Sequence, residues 1–149
     1  MKSASQTITI DENHPFFLHH GENLGAILVS QPLVSEIYPT WAKSMKRALS
    51  AKNKLGFIDG TLTLAPTMVK SPLLVQAWTR CNNMVVSWIL NSVSPKILAS
   101  VIYRDTTLEV WKDVKERFSQ GNGQRIFQLQ NIWLELIKGS SQSQIISLN

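Results

Sequence analysis

Between Ser71 and Asn91 the apolar residues Leu74, Trp78, Cys81, Val85 and Trp88 recur at spacings of 4, 3, 4 and 3. That rhythm places them on one face of a helix, because an α-helix turns about 100° per residue. Ala77, Met84 and Ile89 widen the stripe, while Gln76, Thr79, Arg80, Asn83 and Ser87 fall on the other side. A stripe this wide needs cover from several elements at once. Ser71 and Pro72 supply the start, a side chain able to cap followed by a ring suited to the first helical turn. The spacing predicts a helix over 72–91 at the centre of a mainly α fold.

The rest of the chain supplies partners for it. Pro39 marks a helix over about 40–51, with Trp41, Ala42, Met45, Ala48 and Leu49 on one face and Lys43, Lys46 and Arg47 on the opposite one. Leu55–Gly60 reads as a turn with apolar anchors, and Thr61–Ala65 as a short extended piece ended by Pro66. Ser94-Pro95 opens a short helix over 95–103. Thr106-Thr107-Leu108-Glu109 has the capping-box pattern and opens another over 107–118, with Trp111, Val114 and Phe118 inward. Ser119–Gly123 is a glycine-containing turn; a fifth helix follows over 124–138, with Ile126, Leu129, Trp133, Leu136 and Ile137 inward, and Gly139 stops it. Alternating Ile8 and Ile10, and the run Ala26–Ser30, are short strand signals. The expected architecture is a single-domain bundle of about five helices after a short, irregular or β-containing N-terminal segment. Residues 1–12 would be flexible, 13–139 the helical domain and 140–149 a polar tail. Its core should hold Trp41, Trp78, Trp88, Trp111, Phe118 and Trp133.

Charge points to a surface rather than to an active site. The 15 Lys and Arg exceed the 10 Asp and Glu, for a net charge of +5. Lys43, Lys46, Arg47, Lys52 and Lys54 fall in one stretch without an acid, and the other ten basic residues balance all ten acids. A local excess of this kind is what a nucleic-acid-binding patch requires. The composition, 44% apolar and 17% charged, suits a folded globule. No apolar run approaches the roughly 18 residues that would cross a bilayer, so no membrane partner is expected.

Catalytic and metal chemistry lack their residues. His14, His19 and His20 all sit in the N-terminal segment; a zinc site needs paired Cys/His at short spacing, and the adjacent His19-His20 have no evident partners, so no zinc site is expected. The single cysteine, Cys81, lies on the apolar stripe and reads as a buried structural thiol; it excludes an intrachain disulfide. Asp59-Gly60-Thr61 reverses the order of an aspartic-protease motif and reads as a turn. Gly121-Asn122-Gly123-Gln124 lacks the Lys-Ser/Thr with which a glycine-rich loop holds phosphate. The acids are scattered, with no evident general acid–base pair. No catalytic residue, cofactor or small-molecule substrate is expected.

Several blocks, taken together in their order and spacing, resemble the N-terminal Gag region of plant Copia-type LTR retrotransposon polyproteins. They are His14-Pro15-Phe16-Phe17-Leu18-His19, Ile27–Ser30 with Leu33, and Tyr38-Pro39-Thr40-Trp41 followed by Met45, Ala48-Leu49 and Ala51–Thr61. Trp78–Asn82 through Trp88–Ser94 is another, as is Trp111 with Glu116–Gln120 through Arg125–Leu129. The resemblance spans about residues 13–140. It departs at Ser35-Glu36-Ile37-Tyr38, where the family has Gly-x-Asn-Tyr, and after Gly139, where the family runs into a further helix. The chain therefore looks like a Gag fragment or a chromosomal remnant. The resemblance implies a non-catalytic, capsid-like domain in the cytoplasm that packs with itself or other Gag copies around RNA. The alternative is a single-stranded nucleic-acid-binding module using the basic first helix, and a small enzyme ranks third. Burial of Trp78 and Trp111 would favour the scaffold; exposure beside Lys43 would favour the nucleic-acid module.

Overall fold

The structure, a computed structural model, describes residues 9–34 and 37–147; the side chains of residues 119–128 and 141–147 lie outside that description. It is mainly helical. The elements are α1 (Tyr38–Ala51), α2 (Gly56–Asp59), a 3-10 helix (Pro66–Lys70), α3 (Pro72–Leu90), α4 (Pro95–Val101) and α5 (Thr107–Ser147).

Helix α3 occupies the centre. Ser71 Oγ accepts from the backbone N–H of Leu74 at 3.4 Å, and Pro72 stands in the first turn. Trp78, Cys81, Val85, Trp88 and Ile89 are buried in one continuous core. Helix α1 covers it with Trp41, Ala42, Met45 and Leu49. The Trp41 ring stacks on Trp111 of α5, centroids 5.6 Å apart, and Tyr38 stacks on Phe118 at 5.9 Å. Those pairs lock α1 against the first turns of α5, which also pack on α2, α3 and α4. Thr106 Oγ1 accepts from the Glu109 N–H at 3.2 Å, so one half of the capping box forms at the start of α5.

The end of α1 decides where several lysines go. Asn53 adopts a left-handed backbone, φ 58°. The N–H of Lys54 reaches the carbonyl of Leu49 at 2.8 Å, and that of Asn53 reaches Ser50 at 3.0 Å. This pair of bonds is a Schellman ending. It turns the chain inward, so Lys54 leaves the face carrying Lys43, Lys46 and Arg47. The stretch Leu55–Gly60 then makes one helical turn, burying Phe57 and Ile58, and Gly60 closes it at φ 88°. A side chain at Gly56 would overlap the Leu62 side chain, so the close approach of these two segments requires glycine there.

Several expectations are corrected. Among the described residues there is no strand, only an isolated bridge between Leu33 and Val93. The run leading into 26–30 is held by side chains instead: Trp88 Nε1 donates to the Asn23 carbonyl at 2.9 Å, and Asn91 Nδ2 to those of Leu24 and Ala26 at 2.6 and 3.2 Å. Ile8 and most of the expected flexible N-terminus lie outside the described residues. The extended piece at Thr61–Ala65 is irregular and leads into the 3-10 helix.

The two helices expected over 107–118 and 124–138 are one helix, α5, which passes Gly139 and continues to Ser147. A glycine inside a helix costs only about 1 kcal/mol. No proline interrupts the run, and Gly139 keeps a helical backbone instead of the left-handed one that ends helices. The part of the expected polar tail that is described, residues 140–147, is helical for the same reason. Trp133 is corrected too: it is 64% exposed, and Leu129, Leu136 and Ile137 are exposed with it. The distal part of α5 projects beyond the core that the other helices build.

Candidate functional site

The five basic residues of the sequence cluster separate into two groups. Lys43, Lys46 and Arg47 are exposed on the outer face of α1. Lys52 and Lys54 are not part of that face. The Lys52 ammonium pairs with Glu22 at 2.9 Å and lies 5.0 Å from the centroid of the Trp88 ring. Lys54 is 3% exposed; its ammonium donates to the carbonyl of Phe17 at 2.8 Å. Burial pushes its pKa below the usual lysine value, although Cys81 and Glu22 nearby oppose the shift. Both residues clamp the N-terminal segment onto the end of α1.

Lys46 gains new company. It shares a groove with Lys112 and Lys115 of α5, floored by Ile58 and Trp111 and edged by Asp59. The Asp59 carboxylate accepts from the Thr61 N–H at 2.9 Å and the Thr61 hydroxyl at 2.7 Å, which holds its pKa below the usual carboxylate range. This is the turn geometry expected of Asp-Gly.

The aromatic side chains lie inside. Trp41, Trp78, Trp88, Trp111 and Phe118 are buried. Trp41 Nε1 donates to the Ser92 carbonyl and Trp78 Nε1 to that of Leu62, each at 2.8 Å. These rings tie helices to loops and present no stacking platform beside Lys43. Cys81 is fully buried, and burial pushes its thiol up to about 11. A thiol so placed is protonated at neutral pH and is not a nucleophile. His14 Nδ1 accepts from the Phe16 N–H at 3.0 Å, shaping the loop it belongs to. Among the described residues no three metal-ligating side chains come together, and no helix is long and apolar enough to cross a membrane.

The family model for the Gag polypeptide of LTR copia-type elements matches residues 19–64. This segment is a copia-type Gag region. No curated protein and no solved structure matches the chain. The Gag region takes in α1, its Schellman ending and α2, and with them Lys43, Lys46 and Arg47. Lys112, Lys115 and the exposed part of α5 lie outside the matched residues. So do the later blocks of resemblance, from Trp78 and from Trp111 onward.

One structural residue outside the Gag region escaped the sequence reading. Asn82 is buried on α3. Its amide donates to the Asp105 carbonyl at 2.9 Å, and its oxygen accepts from the Thr107 N–H at 2.8 Å. It fixes the start of α5 to the centre of the fold. The signal was present, since a helical rotation of 400° from Trp78 puts Asn82 inside the apolar stripe, where a polar residue needs a partner.

Proposed function

We propose that this chain is a non-catalytic, Gag-type scaffold unit that associates with copies of itself and packs RNA. The observation that carries the reading is the distal face of α5. Leu129, Ile132, Trp133, Leu136 and Ile137 are all exposed and follow one another at helical spacing on one side. Glu135 and Lys138 stand on the opposite side of the helix, so the face itself is free of charge. Monomeric proteins seldom expose a contiguous apolar face of this kind.

A second copy is the occupant that suits it, because an uncharged face matches itself without leaving a charge buried. At roughly 100 Å² for each aliphatic residue and somewhat more for the tryptophan, a face-to-face pair would bury about 1,100 Å² in all, the small end of specific interfaces. The expected pairing is therefore reversible. The buried aromatic rings disfavour the alternative, a base-stacking nucleic-acid module. Light scattering on the chain eluting from a sizing column tests the reading. Its mass should rise above the 16.8 kDa of one chain as concentration increases, and Trp133→Glu should remove the rise. A wild-type mass fixed at one chain would overturn self-association.

A further inference from the structure

The structure assigns a phosphate-binding groove to the junction of α1 and α5, where Lys46, Lys112 and Lys115 would hold the backbone of a single-stranded nucleic acid. The inference rests on the RNA part of the proposed function and gives it a site. The sequence cluster around Lys43 is not that site as it stands, because Lys52 and Lys54 are turned to other work. The fold replaces them with two lysines more than sixty positions away.

The groove has a volume of about 390 Å³. Three lysines from two helices line it against one carboxylate, Asp59, which its hydrogen bonds to Thr61 keep ionised, so the lining retains a positive excess. Among the described residues none of the three lysines makes an ion pair. Glu109 and Glu116 flank Lys112 on α5, three residues before it and four after, but they do not line the groove and make no ion pair with it. Lys112 and Lys115 are three residues apart, so their Cβ atoms are about 5–6 Å apart on one side of the helix. Like charges at that spacing weaken a helix. The packing of the fold gains nothing from bringing Lys46 toward them, whereas an anion bound between the helices relieves all three.

The chemistry of the lining narrows the ligand. Lysine ammonium groups act on phosphates as point charges and lack the planar fork that selects a carboxylate pair. Trp111 forms the floor and is 5% exposed, so it offers no face on which a base could stack. Contact is by charge alone, with no base readout. Lys43 and Arg47 continue the positive face outward along α1, so a strand leaving the groove passes over further cations.

The test compares two double variants of equal charge change. A labelled polyuridine of about 20 nucleotides is titrated into the full chain over a series of salt concentrations, with an RNA of mixed sequence alongside. Wild type should bind both alike, with a log–log salt slope near −2, about −0.7 for each of three contacts. Lys112→Glu with Lys115→Glu should weaken binding at least about tenfold and bring the slope toward about −0.7. Lys43→Glu with Arg47→Glu should weaken it about threefold or less. Melting curves establish that each variant is folded, and Lys112→Gln with Lys115→Gln replaces the glutamate pair if that pair is not. Equal weakening by the two double variants overturns the groove and leaves RNA binding standing. No binding by wild type at low salt overturns both. Competition by polyglutamate as effective as that by polyuridine overturns the assignment to phosphate.

Discussion

The ammonium of Lys54 donates to the carbonyl oxygen of Phe17 at 2.8 Å, across 37 positions of sequence. Lys54 sits just after the left-handed Asn53, and the Schellman ending of α1 aims it at the loop that carries Phe16 and Phe17. Truncating it leaves the Phe17 carbonyl without this donor. A hydrogen bond to a charged group contributes about 1.5–3 kcal/mol, so Lys54→Ala should lower the unfolding free energy by about that much. Lys43→Ala, on the exposed face, should stay within about 0.5 kcal/mol. Urea denaturation of the two variants makes the comparison, and equal losses would contradict the separation of the cluster.

That pair also marks where sequence reading stops. Helix α3 was legible from Ser71-Pro72 and the stripe from Leu74 to Trp88, since periodicity and a capping signal agree there. The outer face of α1 was legible for the same reason. Lys54 was not, because its direction depends on a single left-handed residue, Asn53, just before it; Lys52 precedes that residue, and helical rotation alone carries it to the side opposite Lys43. Lys112 and Lys115 were passed over because the distance in sequence from Lys46 hides a neighbourhood that only the packing of α5 on α2 creates. The stripe on distal α5 was read correctly as amphipathic, but periodicity does not say whether an apolar face meets its own chain or another. The glycines at 121, 123 and 139 were read as stops, whereas a helix passes a glycine at a cost of about 1 kcal/mol when no proline interrupts it and no left-handed turn is taken.

Two tryptophans on helical stripes should behave in opposite ways. Trp88 is fully buried and its indole holds Asn23, so Trp88→Ala should cost about 3–5 kcal/mol. With about 5–15 kcal/mol in a typical domain, that variant should be poorly folded. Trp133 is 64% exposed, and at low protein concentration Trp133→Ala should change the unfolding free energy by no more than about 0.5 kcal/mol. Melting curves of both variants decide the matter; a wild-type-like curve for Trp88→Ala would mean that α3 does not form the centre.

Cys81 should be chemically silent in the folded protein. It is fully buried, and its pKa of about 11 leaves almost no thiolate at pH 8. An aromatic disulfide reagent should leave the native chain unlabelled and react with one thiol as soon as urea unfolds it. Rapid labelling under native conditions would place Cys81 at the surface.

The buried amide of Asn82 should be strongly coupled to Thr107. The Asn82 oxygen accepts from both the N–H and the hydroxyl of Thr107, at 2.8 and 2.9 Å, while the amide nitrogen serves the Asp105 carbonyl. Asn82→Ala strips these groups of their partner in a place where water does not replace it, at a cost of about 2–4 kcal/mol. Thr107→Val removes only the hydroxyl. If the two residues act as one unit, their effects will not add, and a double-mutant cycle should return a coupling of about 0.5–3 kcal/mol. The coupling follows from geometry, because the first variant removes most of what the second could still lose. Strict additivity in urea denaturation would mean that the start of α5 is held by the stacking of Trp111 on Trp41 and not by this polar joint.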